Sequence, residues 1–184
     1  MRRAPSFIGS AVEFDEYRTH LKSVSCPRCR AVGNLNRHGF LRGNVDKGCE
    51  LVVRGWRIFC SDRGRRRGCG RTHSILLASC LRRRTIRSPN LWKFLEGLVS
   101  GLCVKRAWEK LASDLTLKYG YRMARAMQRA HSKIRTLLYR VKPPPVVASN
   151  HPLEQTGCHL REVFPKAACP VSAFHLNFQQ PFLG

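Results

Sequence analysis

Cys26-Pro27-Arg28-Cys29 and, about thirty residues further on, Cys60 and Cys69 are the side chains of this sequence best suited to chemistry. Two cysteines spaced C-x-x-C share a tight turn, so both sulfurs reach one ion while backbone N–H groups point back at them. Pro27 stiffens that turn. The second pair is wider, with eight residues, Ser61 to Gly68, between its cysteines, where about two to four are usual. That insert holds four arginines and two glycines, a composition able to loop out as a basic finger while its ends close on the metal. The expected ligands are Cys26, Cys29, Cys60 and Cys69, holding one structural Zn²⁺. Cys49, His38 and His73 are the available substitutes.

Such a site needs strands to bring its two knuckles together. Asn36–Arg42, Leu51–Phe59 and Arg71–Leu77 read as three short strands, and Gly43-Asn44 with Asp46-Lys47-Gly48 supply the turn chemistry between the first two. A three-stranded antiparallel ribbon is too small to fold on apolar burial alone, so metal binding is expected to supply much of its stability. Residues 1–23 read as a loose lead-in with a short helix near Glu13–Lys22.

Beyond the ribbon, Leu81-Arg82-Arg83-Arg84-Thr85-Ile86-Arg87 is a basic connector, a composition suited to phosphates. Ser88-Pro89 then predicts a helix start, with Ser as N-cap and Pro in the first turn. Leu91, Trp92, Leu95, Leu98, Val99 and Leu102 recur at helical spacing. A short helix follows over 104–112, with Ala107, Trp108, Leu111 and Ala112 inward. The turn 113–116 offers polar caps, and a long helix runs from Leu117 to Val141. No acidic residue lies between Thr116 and Val141, whereas Lys118, Arg122, Arg125, Arg129 and Lys133 do. Helix, short helix, turn and basic helix is the layout of a helix-turn-helix. Pro143-Pro144-Pro145 ends the helix and predicts a stiff linker. The remaining residues show one helix over 152–163 and an aromatic tail, Phe174, Phe178 and Phe182, expected to dock on the body or on a partner. His151, Cys158, His159 and Cys169 fit no metal-binding spacing.

The chain has 34 Lys and Arg against 11 Asp and Glu, a formal charge of +23. Self-repulsion on that scale implies a polyanion as partner, and nucleic acid is the natural one. No apolar run approaches the length of a membrane span, and the first twenty-five residues lack the apolar core of a secretory signal. The nine cysteines are therefore expected in a reducing cytoplasm, with the protein at the nucleoid and not at a membrane.

Cys26-Pro-Arg-Cys29, Trp56-Arg-Ile-Phe-Cys60 and above all Cys69-Gly-Arg-Thr-His-Ser-Ile-Leu76 resemble the N-terminal zinc ribbons of bacterial insertion-sequence transposases. In that family the second knuckle is typically followed by Gly-Arg-Thr-Phe-Ser, so His73 replaces an aromatic. The following helices resemble the helix-turn-helix behind such ribbons, with Tyr121-Arg122 in the recognition helix and Cys103 where Ser or Thr usually caps. The likeness covers about residues 24–140.

The resulting expectation is a small α+β chain: an N-terminal antiparallel β zinc ribbon followed by an all-α helix-turn-helix bundle. Its divisions are a lead-in over 1–23, ribbon over 24–80, bundle over 81–142, Pro-rich linker over 143–150 and C-terminal tail over 151–184. Arg63, Arg65, Arg66, Arg67 and Arg71, with Arg82, Arg83 and Arg84, are expected on phosphates. Lys118, Arg122, Arg125 and Arg129 are expected at double-stranded DNA through the long helix. A transposase of this type cuts DNA with three carboxylates on a further domain. Only Glu154 and Glu162 follow Lys142, and no nucleophile elbow occurs, so a binding protein without catalysis is expected. The alternatives are an RNA- or ribosome-associated zinc-ribbon protein, or an accessory subunit docking a separate nuclease through the tail.

Overall fold

The computed structural model describes residues 3–48, 50–64, 67–111 and 113–184. By its internal contacts the chain divides into two units, Met1–Asn44 with Leu51–Ala78, and Val45–Glu50 with Ser79–Gly184. The class is α+β.

In the first unit the strands are β1 (Phe7–Ile8), β2 (Leu35–Gly43), β3 (Val52–Cys60) and β4 (Thr72–Leu77), in spatial order β1-β4-β3-β2. β2 with β3 and β3 with β4 are antiparallel. The expectation of a purely antiparallel sheet is corrected by β1, which pairs parallel to β4 with Phe7 opposite Leu76 and Ile8 opposite Leu77. Two residues are too few to show a strand period, and both are buried, so it is tertiary burial that recruits them.

The lead-in is more ordered than its composition suggests. Helix α1 (Ala11–Thr19) opens on Ser10, whose hydroxyl accepts the Glu13 N–H at 3.1 Å, while the Glu13 carboxylate accepts the Gly9 N–H at 2.7 Å. The first bond satisfies a donor that a helix start otherwise leaves open, and the second pins the residue before the cap. α1 delivers Phe14 onto Trp56, the rings stacked at 4.0 Å. Leu21, Leu35, Ile58 and Ile75 complete a small core on that face of the sheet.

The second unit consists of α2 (Ser88–Val99), α3 (Val104–Glu109), α4 (Leu117–Tyr139), α5 (Pro152–Val163) and α6 (Pro170–Phe178). Its core joins all five: Leu91, Phe94, Trp108, Met127, Leu160 and Phe174 are fully buried or nearly so. Trp108 packs edge-on to Phe94 at 5.2 Å and donates its indole N–H to the Leu115 carbonyl at 3.1 Å. Gly120 makes room for the indole, since a Cβ there would lie 2.6 Å from the ring.

Ser88 is not the cap of α2. Arg87 is the N-cap and Ser88 lies buried inside the helix. The helix start is tied down instead by Asp46, whose side chain is wholly buried. Its carboxylate accepts the Arg87 backbone N–H and guanidinium Nε–H, both at 3.1 Å, and the Asn90 amide at 2.6 Å. The turn before α4 serves the same loop. Ser113 donates its hydroxyl to the Asp46 carbonyl at 3.1 Å and Asp114 accepts the Gly48 N–H at 2.8 Å, so neither caps α4, and Thr116 makes no capping bond.

The stretch read as a tail is folded. α6 starts at Pro170 under a Cys169 cap, and Phe174 and Phe182 sit in the core with their rings at 5.3 Å. No helix of the described residues is long and apolar enough to cross a membrane.

Candidate metal centre and basic surfaces

The β2–β3–β4 sheet brings the two knuckles together. In the first, the Cys26 N–H bonds the Ala31 carbonyl at 2.9 Å, the Arg30 N–H bonds the Cys26 carbonyl at 3.0 Å, and the Arg28 N–H points at the Cys26 sulfur at 3.4 Å. The chain leaves this turn through Arg30, which holds φ +62°. The second knuckle is built alike despite its longer spacing. The Cys69 N–H points at the Cys60 sulfur at 3.4 Å, and the chain leaves through Gly70 at φ +62°. Its insert closes because Gly68 lies against the chain: a Cβ there would fall 2.0 Å from the Ser61 carbonyl oxygen and 2.9 Å from the Cys60 sulfur.

The ligand atoms of Cys26, Cys29, Cys60 and Cys69 all lie within 4.8 Å of one another. Two of the separations, Cys26 to Cys69 and Cys29 to Cys60, are 3.7 Å. Four thiolates around Zn²⁺ at about 2.3 Å define a tetrahedron with edges of about 3.8 Å. The sulfurs are therefore spaced for one tetrahedral ion and far too distant for disulfides, which need about 2.05 Å. All four are free thiols.

The electrostatics agree. Burial pushes the Cys60 thiol up to about 12 and also raises Cys69, so their thiolates need a cation beside them. The backbone N–H of Ala31 draws Cys29 down to about 7. His73 is not a fifth member. Its Nε2 lies 3.3 Å from the Cys26 sulfur, and burial together with the Arg28 charge lowers its pKa. A neutral imidazole there can donate to a ligand thiolate and fix its direction. His38 lies apart, against Phe59. Cys49 is outside the described residues.

Of the arginines expected on phosphates, Arg63, Arg67 and Arg71 are exposed in the first unit. Arg65 and Arg66 fall outside the described residues. In the second unit Arg82 and Arg83 are exposed, Arg84 is half-buried, and the three line a cavity of about 270 Å³ with Pro181 and Leu183. The Tyr119 hydroxyl accepts the Thr85 N–H at 3.1 Å and so ties this connector to the first turn of α4.

Along α4 the buried residues Met123, Met127, Ile134 and Leu138 face inward, while Lys118, Arg122, Arg125, Arg129 and Lys133 are all exposed. The Arg122 guanidinium lies 5.9 Å over the Tyr119 ring, which limits its wandering. Leu117, Lys118, Tyr121, Arg122 and Arg125 line an open groove of about 470 Å³, an apolar floor with a cationic rim.

Sequence reading missed the Asp46 acceptor and the Glu13 cap. Only the second had a signal, in the Ser10-x-x-Glu13 spacing. Comparison with protein-family models, with curated proteins and with solved structures returns no match.

Proposed function

We propose that this protein binds double-stranded DNA in the manner of the targeting half of an insertion-sequence transposase, without a catalytic centre of its own. In this reading Cys26, Cys29, Cys60 and Cys69 hold one Zn²⁺ that fixes a ribbon, and α3, its turn and α4 act as a helix-turn-helix. A four-thiolate zinc site has no open position for water, so the ion's work is structural. Arg63, Arg67 and Arg71 of the ribbon, and Arg82, Arg83 and Arg84 of the connector, take phosphates. Lys118, Arg122 and Arg125 enter the major groove, where arginine pairs with the guanine edge, and Arg129 and Lys133 extend the contact along the backbone.

The observation that carries this reading is the exposed face of α4. Five cations at three- and four-residue spacing stand on a 23-residue helix, about 34 Å long, without an acidic neighbour on it. An ordinary solvated helix mixes signs to gain pairs between turns; a helix that gives these up suits a polyanion.

Competition between DNA and RNA duplexes of equal length tests the proposal. DNA is expected to win, and selection from a random duplex library is expected to return a consensus that Arg122→Ala relaxes. A preference for the RNA duplex, or no consensus, would favour the RNA-associated alternative. Metal analysis is expected to give one zinc per chain, lost when Cys26 and Cys29 become Ser.

A further inference from the structure

The sheet of the first unit has a second face that neither its core nor its metal uses. Directly opposed residues on neighbouring strands project to the same side. Trp56, Ile58, Cys60 and Ile75 fill the core side, so the alternate rows Asn36–Phe59–Thr72 and Gly39–Arg57–Ser74 lie on the other. A bulge between Arg37 and Gly39 adds His38, and its ring comes 5.7 Å from Phe59. Bulges re-aim a side chain in this way. His38, Arg57, Thr72 and Ser74 are exposed and Phe59 is half-buried.

We infer that this face binds unpaired nucleotides, with single-stranded nucleic acid stacking its bases on Phe59 and His38. The charge is complementary: Arg57 lies on this face, and β2, β3 and β4 contain no Asp or Glu. Arg57 stands in the row next to Phe59, and Lys22 reaches the edge of the face, its Nζ 2.6 Å from Asn36 Oδ1. Cations therefore flank the two rings, the arrangement that single-strand binders use to track a backbone while its bases stack. A duplex cannot use the rings, because its bases are already stacked on one another. Thr72 and Ser74 place hydroxyls beside the stack, where a ribose 2′-hydroxyl would lie. The inference uses the first unit alone and does not depend on α4 reading a duplex.

The test uses the full-length, metal-loaded protein with four labelled probes: a single strand of DNA, the same strand as RNA, the matching DNA duplex, and a DNA strand of abasic sugars. The two ordinary single strands are expected to bind about tenfold more tightly than the abasic one. His38→Ala and Phe59→Leu are each expected to remove most of that gain and leave duplex binding unchanged, whereas Phe59→Tyr keeps it. Equal binding of DNA and RNA would assign the gain to stacking alone. A preference for RNA would add hydroxyl contacts from Thr72 or Ser74, tested by Ser74→Ala. Abasic strand bound as well as ordinary strand would overturn the inference, since attraction to phosphate would then suffice. So would wild-type single-strand binding by Phe59→Leu protein with unchanged metal content and circular dichroism. Should Phe59→Leu not fold, the exposed His38→Ala and the abasic comparison on unaltered protein decide the matter.

Discussion

Arg30 and Gly70 each follow the last cysteine of a knuckle, and both hold φ +62°. Glycine adopts that region freely, whereas a side chain there meets the carbonyl that follows it. The first knuckle thus carries a strain that the second avoids. Arg30→Gly is expected to stabilise the metal-loaded protein by about 0.5 to 1 kcal/mol, the relief exceeding the greater freedom of glycine in the unfolded chain; urea unfolding measures it, and an unchanged midpoint would refute the strain. Gly68 presents the opposite case, because any Cβ collides with the Ser61 carbonyl. Gly68→Ala is expected to open the second knuckle and weaken metal retention at least about tenfold, or about 1.4 kcal/mol, read by competition with a chromogenic chelator. The cysteines could be found from the sequence because ligand chemistry is a matter of residue type and spacing. The tolerance of an eight-residue insert could not, since it depends on a backbone path that lays Gly68 against Ser61. Nor could the part of His73, whose contact with Cys26 joins residues 47 positions apart.

Among the elements, α2 shows how far a local start signal reaches. Ser88-Pro89 marks its beginning to within a residue, yet the N–H of its N-cap Arg87 and the side-chain amide of Asn90 are answered by Asp46, more than forty positions earlier in the chain. No periodicity announces that, because the acceptor lies in the loop between two strands. A carboxylate near a helix N-terminus also gains from the helix dipole. Asp46→Asn keeps the shape but turns one wholly buried acceptor into a donor facing the donors of Arg87 and Asn90. A loss of about 2 to 3 kcal/mol is expected, measurable by chemical denaturation, and wild-type stability would show that water replaces the carboxylate without penalty. The segments with a visible period or start signal were legible: β2, β3, β4, α2, α4 and α5 all lie where pattern places them. The shortest strand and α6 were not. Phe174, Phe178 and Phe182 repeat every fourth residue, a helical interval, but with Pro170 and Pro181 at either end the stretch is too brief for its period to stand out.

For the whole molecule the formal charge of +23 predicts attraction to any polyanion, and for that reason it identifies no binding surface. The salt dependence of binding does, because its slope counts the phosphates that the protein neutralises, about 0.9 for each cation in contact with B-DNA. A charge that merely adds to the general field is screened within about 10 Å at moderate salt and leaves the slope almost unaltered. Arg122, Arg125 and Arg129 are exposed on one side of α4; if they lie on DNA, replacing all three by Gln should lower the magnitude of the slope by about 2 to 3. Arg18, Lys93 and Lys166 are exposed on other segments, and their replacement by Gln removes the same formal charge. Equal losses in both triple variants would mean that the protein holds DNA by its overall charge and that α4 has no special place in it. A loss confined to the α4 variant, with circular dichroism and metal content unchanged in both, would fix the contact to this helix and make it the element on which base recognition is then sought.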